Sequence, residues 1–189
     1  TVEILPQYLT FSGPDCYERF GTLAQQNPPI RDHRHFEYLW KAVNNGTVDV
    51  IGSDHAPHTL EEKNKPYPQS PSGTPGVQTL LPVMLNHVHE KRLSLEKLAL
   101  LVTENTRRVF NLKNKGRIAV GLDADLTLVD LNKKMEIKNS WLASKSKWSI
   151  FDGMHVTGWP VGAFVNGRLA MKDDQILIPH SGKAALFNA

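Results

Sequence analysis

The chain has 189 residues, 40% of them hydrophobic, with 22 basic and 19 acidic side chains and a formal net charge of +3. That is enough apolar content for a core, and it argues against wholesale disorder; no apolar run reaches the roughly 18 residues of a membrane span, and no secretory signal opens the sequence. A single cysteine, Cys16, excludes an intrachain disulfide and a multi-cysteine zinc knuckle, so a cytoplasmic setting is expected.

Thr1 leads directly into Val2–Leu5, which reads as a strand. A natural N-terminus rarely starts inside a core strand, so further sequence is expected upstream. A polar stretch containing Asn27-Pro28-Pro29 and running to Arg31 reads as loop. The next segment, Asp32 to Asn45, reads as a helix with Asp32 as its N-cap. Phe36, Leu39, Trp40 and Val43 fall on one stripe of that helix, and Gly46 is its stop signal. Val48, Val50 and Ile51 then suit a buried strand that ends at Gly52.

Thr59 to about Pro75 is too rich in breakers for a long element and reads as loop. Leu80, Leu81, Met84, Leu85 and Val88 mark a helix. Ser94 can cap another through Leu95, Leu98 and Val102, and Thr103 a last short one ending near Phe110. Strand and helix alternating in this way imply α/β architecture, a parallel sheet with crossover helices.

Beyond about Lys113 the pattern changes to β. Ala124–Leu131, Val161–Val165, Arg168–Met171 and Gln175–Ile178 read as strands, with Asn166-Gly167 as a two-residue hairpin turn. Two units are therefore expected, 1–112 and 113–189, the second a small antiparallel β unit. The basic patches (Lys113, Lys115 and Arg117; Lys145 and Lys147) carry no nucleic-acid module and read as solvated surface. Trp40, Trp141, Trp148 and Trp159 read as core or domain-interface residues.

The chemistry concentrates in Ser53-Asp54-His55-Ala56-Pro57-His58. A carboxylate just past the end of a buried strand, beside a histidine, can bind a divalent metal or act as a general base. It can equally cap a turn, and His58 can be a surface-loop histidine. Asn27-Pro28-Pro29 is stiff, which can aim the Asn27 amide at a ligand or simply make an extended linker. The glycines of Ser70–Gly76 could present backbone N–H groups to an anion. His33, His35, His87, His89, His155 and His180 show no metal-ligand spacing and read as structural or exposed.

Asn27-Pro28-Pro29-Ile30-Arg31, Gly46–Ile51 and Ser53–Thr59 together closely resemble the C-terminal half of bacterial dihydroorotases, members of the amidohydrolase superfamily. The likeness continues through Glu61-Glu62-Lys63, Pro71–Gly76 and Gly116–Asp125, and ends near Gly158-Trp159-Pro160-Val161. It implies the C-terminal part of a (β/α)8 barrel of the TIM type, with Val2–Leu5 as strand 7 and strand 8 ending at Asp54. It further implies that the β unit is part of a composite β domain. By the same resemblance Asp54 binds zinc and shuttles the proton, while Asn27, His58, Ser72 and Gly73 contact the dihydroorotate ring and its carboxylate.

The implied reaction is the reversible, zinc-dependent hydrolysis of dihydroorotate to N-carbamoyl aspartate in pyrimidine biosynthesis, with one or two zinc ions in the complete protein. The implied partners are that small-molecule substrate, the N-terminal half of the barrel, and either further copies of the chain or an aspartate transcarbamoylase. No nucleic acid or membrane is expected. The family's remaining metal ligands should lie upstream of Thr1, so this chain alone is expected neither to hold zinc at unit ratio nor to turn over substrate. Pro6-Gln7-Tyr8 stands where the family commonly has Pro-His-His. Two alternatives stay open: an allantoinase or dihydropyrimidinase type of cyclic amidohydrolase, and a metal-less homologue that supports a transcarbamoylase without catalysis.

Overall fold

A computed structural model describes residues 1–179 and 182–188; His180 lies outside the described residues. Two short parallel strands, β1 (Glu3–Ile4) and β2 (Val50–Ile51), pair with Glu3 opposite Val50 and Ile4 opposite Ile51. The chain between them must return to the same end of the sheet, and helices make that crossover. These are α1 (Pro6–Thr10), α2 (Asp15–Phe20), a 3₁₀ turn at Gly21–Ala24 and α3 (Phe36–Asn45).

The first two helices correct the expectation of a loop up to Arg31. Elements of 5 and 6 residues are too short to display a 3.6-residue period. Their stability comes from burial instead: Leu9 joins the main core, and Cys16 packs with Ala24 and Ile30. Pro6 sits in the first turn of α1, where its missing N–H costs nothing.

The helix after Asp32 begins as expected, with the Asp32 carboxylate accepting from the Arg34 N–H, but its first turn, His33–His35, is 3₁₀. Trp40 and Val43 are buried and Phe36 and Leu39 half-buried, the predicted stripe. Gly46 ends the helix at φ 89°, a left-handed value that glycine adopts without strain.

After β2 comes α4 (Leu60–Lys63), a single turn inside the segment read as loop. Thr59 and Glu62 close a reciprocal capping box around it, which lets so short a helix form. Then follow α5 (Leu80–His89), α6 (Leu95–Val102) and α7 (Glu104–Val109). Ser94 caps α6 by accepting from the Lys97 N–H. Thr103 does not cap α7: its hydroxyl donates back to the Ala99 carbonyl at 2.6 Å, a bond that competes with capping.

The C-terminal strands β3 (Leu126–Glu136), β4 (His155–Val165), β5 (Arg168–Lys172) and β6 (Gln175–Ile176) form one antiparallel sheet in sequential order. Asn166 (φ 51°) and Gly167 (φ 76°) turn β4 into β5 with both residues left-handed, as the Asn-Gly signal predicts. β4 starts earlier than expected because Pro160 is tolerated in it. The register shifts between Leu128 and Val129, and Pro160 lies opposite Val129 at that irregularity.

Helix α5 serves two cores. Met84 and Leu85 pack with Ile4, Leu9, Val43 and Ile51, whereas Val83 packs with Trp148, Phe151, Val156 and Trp159. Asn86 accepts from the Thr157 N–H at 3.0 Å. Gly158 allows the close approach, since a Cβ there would lie 2.7 Å from that of Leu85. His87, buried on the same helix, meets the Thr10 hydroxyl at 3.0 Å and the Trp40 ring edge-on, a core role. Among the described residues no helix is long and apolar enough to cross a membrane.

Candidate active site

The site is built by loops that leave the same end of the two-stranded sheet. β2 ends at Gly52, and the Glu3 carboxylate of β1 lies directly over it: a Cβ at Gly52 would sit 2.5 Å from Glu3 Cδ. Two residues on, Asp54 is exposed and takes φ 42°, a left-handed backbone that aspartate adopts more readily than most residues. The negative charge of Asp54 reaches Tyr8. Burial first, and that charge second, push the Tyr8 phenol up to about 12, so it stays protonated and donates to the Pro28 carbonyl at 2.6 Å.

His55 does not point at a ligand with both nitrogens. Its Nδ1 accepts from the Gly76 N–H at 3.1 Å and lies 3.4 Å from the Val77 nitrogen. The adjoining backbone pairs with Thr74, whose carbonyl accepts from the Ala56 N–H. These bonds fasten the segment bearing Asp54 to the proline- and glycine-rich loop that contains Ser72 and Gly73. His58 lies half-buried, 3.8 Å from Glu62, and its carbonyl accepts from the Trp148 indole N–H at 2.7 Å. The Glu62 carboxyl is held below its usual range chiefly by the Thr59 N–H and hydroxyl, which keeps it charged beside His58.

Gly73 is where the two segments touch most closely. Its φ is +117°, and a Cβ there would overlap that of Ala56 and lie 3.9 Å from His58 Cδ2. Gly73→Ala is therefore expected to destabilise the protein by about 1–3 kcal/mol through strained backbone alone, with the clash adding to it. A urea midpoint unchanged from wild type would contradict this close approach.

Asn27 and Ser72 line one cleft of about 680 Å³, together with Thr22, Gln25, Tyr67 and Pro68. Asp54 and His58 are not among the residues lining that cleft. The loop carrying Asn27 is held from behind by Tyr8, by the Tyr17 hydroxyl on the Ile30 carbonyl at 3.0 Å, and by the Gly13 N–H on the Arg31 carbonyl at 2.9 Å. Stiffness and anchoring thus present the Asn27 segment to the cleft instead of making a free linker. One expectation needs correction: the Gly73 N–H is taken by the Gln25 carbonyl and the Gly76 N–H by His55, so neither is open to an anion.

Lys63 carries a role that the sequence pattern hides. It ends α4 as the third charged residue of Glu61-Glu62-Lys63, yet it is 0% exposed. Its ammonium donates to the carbonyls of Gln25 (3.0 Å) and Pro71 (2.8 Å). The one available signal is its position four residues after the capping Thr59, on the inward face of a single turn.

Zinc would find one of the expected ligands here. A catalytic zinc takes three protein ligands, and among the described residues no three histidine, cysteine or carboxylate side chains converge. Asp54 alone does not make a metal site.

Comparison with known proteins gives the family. The pattern that defines the Amidohydrolase family matches residues 27–170. A dihydroorotase of Methanothermobacter thermautotrophicus is 36% identical over 179 residues, 94% of this chain and 40% of that protein. A dihydroorotase of Halobacterium salinarum is 39% identical over 176 residues, 93% of this chain and 41% of that protein. Among solved structures, an L-hydantoinase (dihydropyrimidinase) from Arthrobacter aurescens superimposes with a TM-score of 0.88 at 37% identity, over 93% of this chain and 40% of the other. The chain thus spans about 40% of the length of the relatives it matches. With the family's pattern running through the Asn27 loop, the Asp54 segment and most of the β sheet, the chain belongs to the amidohydrolase family, as a dihydroorotase-like member.

Proposed function

We propose that this chain forms the C-terminal part of a dihydroorotase, an enzyme that hydrolyses the cyclic amide of dihydroorotate to N-carbamoyl aspartate and closes it again in the reverse direction. The observation that carries this reading is the convergence of three loops: Asn27 and Ser72 share one cleft, and Gly73 packs against the Ala56–His58 segment just after Asp54. In this reading residues 1–112 complete a (β/α)8 barrel as its strands 7 and 8, and residues 113–189 complete a β domain. The enzyme works in the cytoplasm, on the route to pyrimidines.

Asp54 is the catalytic group that the chain supplies. Its carboxylate accepts a proton from the attacking water and delivers it to the ring nitrogen as the C–N bond breaks, so one carboxylate serves both half-steps. The Asn27 amide, His58 and the Ser72 hydroxyl hold the ring and its carboxylate, while Gly73, whose N–H is spent on the Gln25 carbonyl, contributes close packing against Ala56 and no donor. Zinc belongs to the reading as the group that would polarise the amide carbonyl, with Asp54 the single ligand contributed here and the others outside this chain.

The L-hydantoinase likeness favours a second reading, a cyclic amidohydrolase acting on hydantoins or dihydropyrimidines. Dihydroorotate differs from dihydrouracil by its ring carboxylate and from hydantoin in ring size as well, so substrate choice decides between them. The complete protein, supplied with zinc, is expected to open dihydroorotate with a kcat/KM at least about a hundredfold above those for hydantoin, dihydrouracil and allantoin; loss of a charged substrate group that has dedicated partners is worth that much. A preference for hydantoin would replace the first reading with the second. Inertness towards all four rings would leave neither standing.

A further inference from the structure

We propose that Lys63 is a positioning residue for the substrate cleft: its buried ammonium ties the loop that ends in Asn27 to the loop that carries Ser72 and Gly73. This inference rests on the function proposed above and assigns to Lys63 the spacing of that site's binding groups.

The geometry is that of a hub. The ammonium donates to the Gln25 carbonyl, two residues before Asn27, and to the Pro71 carbonyl, one residue before Ser72. The Gln25 carbonyl also accepts from the Gly73 N–H at 2.9 Å, so one acceptor is shared by the lysine and the second loop. The lysine's own carbonyl accepts from the hydroxyls of Thr22 (2.5 Å) and Ser70 (3.0 Å), one from each loop. Its Nζ lies 5.9 Å from the ring centre of Trp148, whose indole N–H holds the His58 carbonyl. Both loops therefore meet at this one residue, through its side chain at Gln25 and Pro71 and through its main-chain carbonyl at Thr22 and Ser70.

A lysine is an expensive choice for such a place. Complete burial strips water from the ammonium and pushes its pKa down to about 8, which still leaves it mostly charged at neutral pH. An apolar residue would fill the same volume without that cost. What an apolar residue lacks is three donors on a long stem, able to reach carbonyls on two different loops. Among the described residues no carboxylate pairs with the ammonium, so its partners are backbone carbonyls and an aromatic face. That is the pattern of a fastener between loops, not of a surface ion pair.

The test is steady-state kinetics of the complete, zinc-loaded protein with dihydroorotate, comparing wild type, Lys63→Met and Lys63→Arg, each checked for a cooperative thermal transition. Groups that hold substrate and transition state alike raise KM when misplaced and leave kcat nearly unchanged. Lys63→Met is expected to raise KM about tenfold, the worth of one or two weakened hydrogen bonds, with kcat within about threefold of wild type. Lys63→Arg, which keeps a donor, is expected to fall between the two. A purely structural lysine would behave oppositely, lowering the active fraction and hence the apparent kcat at constant KM.

A KM within twofold of wild type in Lys63→Met overturns the inference, as does failure of both variants to fold, which would make Lys63 a core residue and nothing more. A wild type inert towards dihydroorotate and the other rings overturns the proposed function, and this inference falls with it. An active wild type beside a variant with unchanged KM defeats the inference alone.

Discussion

Asp54→Asn in the complete protein is expected to lower kcat for ring opening by about 10³-fold, within the 10²–10⁴ range that a positioned general base contributes. Asparagine is the informative replacement here for a reason of backbone. Asp54 holds φ 42°, and asparagine enters the left-handed region as readily as aspartate does, whereas alanine would add strain to the loss of the carboxylate. The amide keeps the shape of the carboxylate and loses its negative charge and its ability to take and return a proton. The Asp54 side chain is exposed and lies outside the hydrogen bonds that hold the loops together, so the thermal midpoint should stay close to wild type. Zinc content, measured alongside, should fall as well if Asp54 is also a metal ligand. A variant retaining kcat within threefold of wild type would remove Asp54 from the chemistry and leave it a turn residue.

Sequence pattern reaches the parts of this molecule whose physical cause is local. Gly46 stops a helix because only a residue tolerant of positive φ ends it there, and Asn166-Gly167 turns a hairpin for the same reason. The stripe through Trp40 and Val43 is readable because ten helical residues show nearly three turns of period. Asp54 stands out because an apolar run stops just before it.

What stays hidden depends on partners far away in the chain. Helices α1, α2 and α4 are four to six residues long and owe their form to burial or to a capping box. Thr103 has the chemistry of a cap, but its hydroxyl finds the Ala99 carbonyl instead. Lys63 reads as one charge in a charged run; only the convergence of Gln25, Pro71 and Trp148 makes it a buried donor. The anion-binding reading of the glycine loop fails for the same reason, since the N–H groups of Gly73 and Gly76 are spent on Gln25 and His55.

Trp148 makes the last of these distant couplings measurable. It is 1% exposed, packs with Val83 of α5 and with Ile150, Phe151 and Trp159, and donates its indole N–H to the His58 carbonyl at 2.7 Å. Trp148→Ala removes a buried aromatic and leaves a cavity, a change that costs about 3–5 kcal/mol. It should appear as a lowered urea midpoint with little change in slope. Trp148→Phe separates packing from the bond: most of the ring volume and the aromatic face near Lys63 remain, while the His58 carbonyl loses its donor. That second variant is expected to cost about 1–2 kcal/mol, part of it as the penalty of an unpaired carbonyl. Because the lost bond anchors the His58 segment, KM should rise in Trp148→Phe by more than its modest instability explains. If Trp148→Ala and Trp148→Phe both left KM unchanged and differed only in stability, the connection between β3 and β4 would support the His58 segment as a packing surface and would play no part in aligning His58. A rise in KM with the phenylalanine variant would instead make the connection between β3 and β4 part of the framework that aligns His58, acting through one indole N–H.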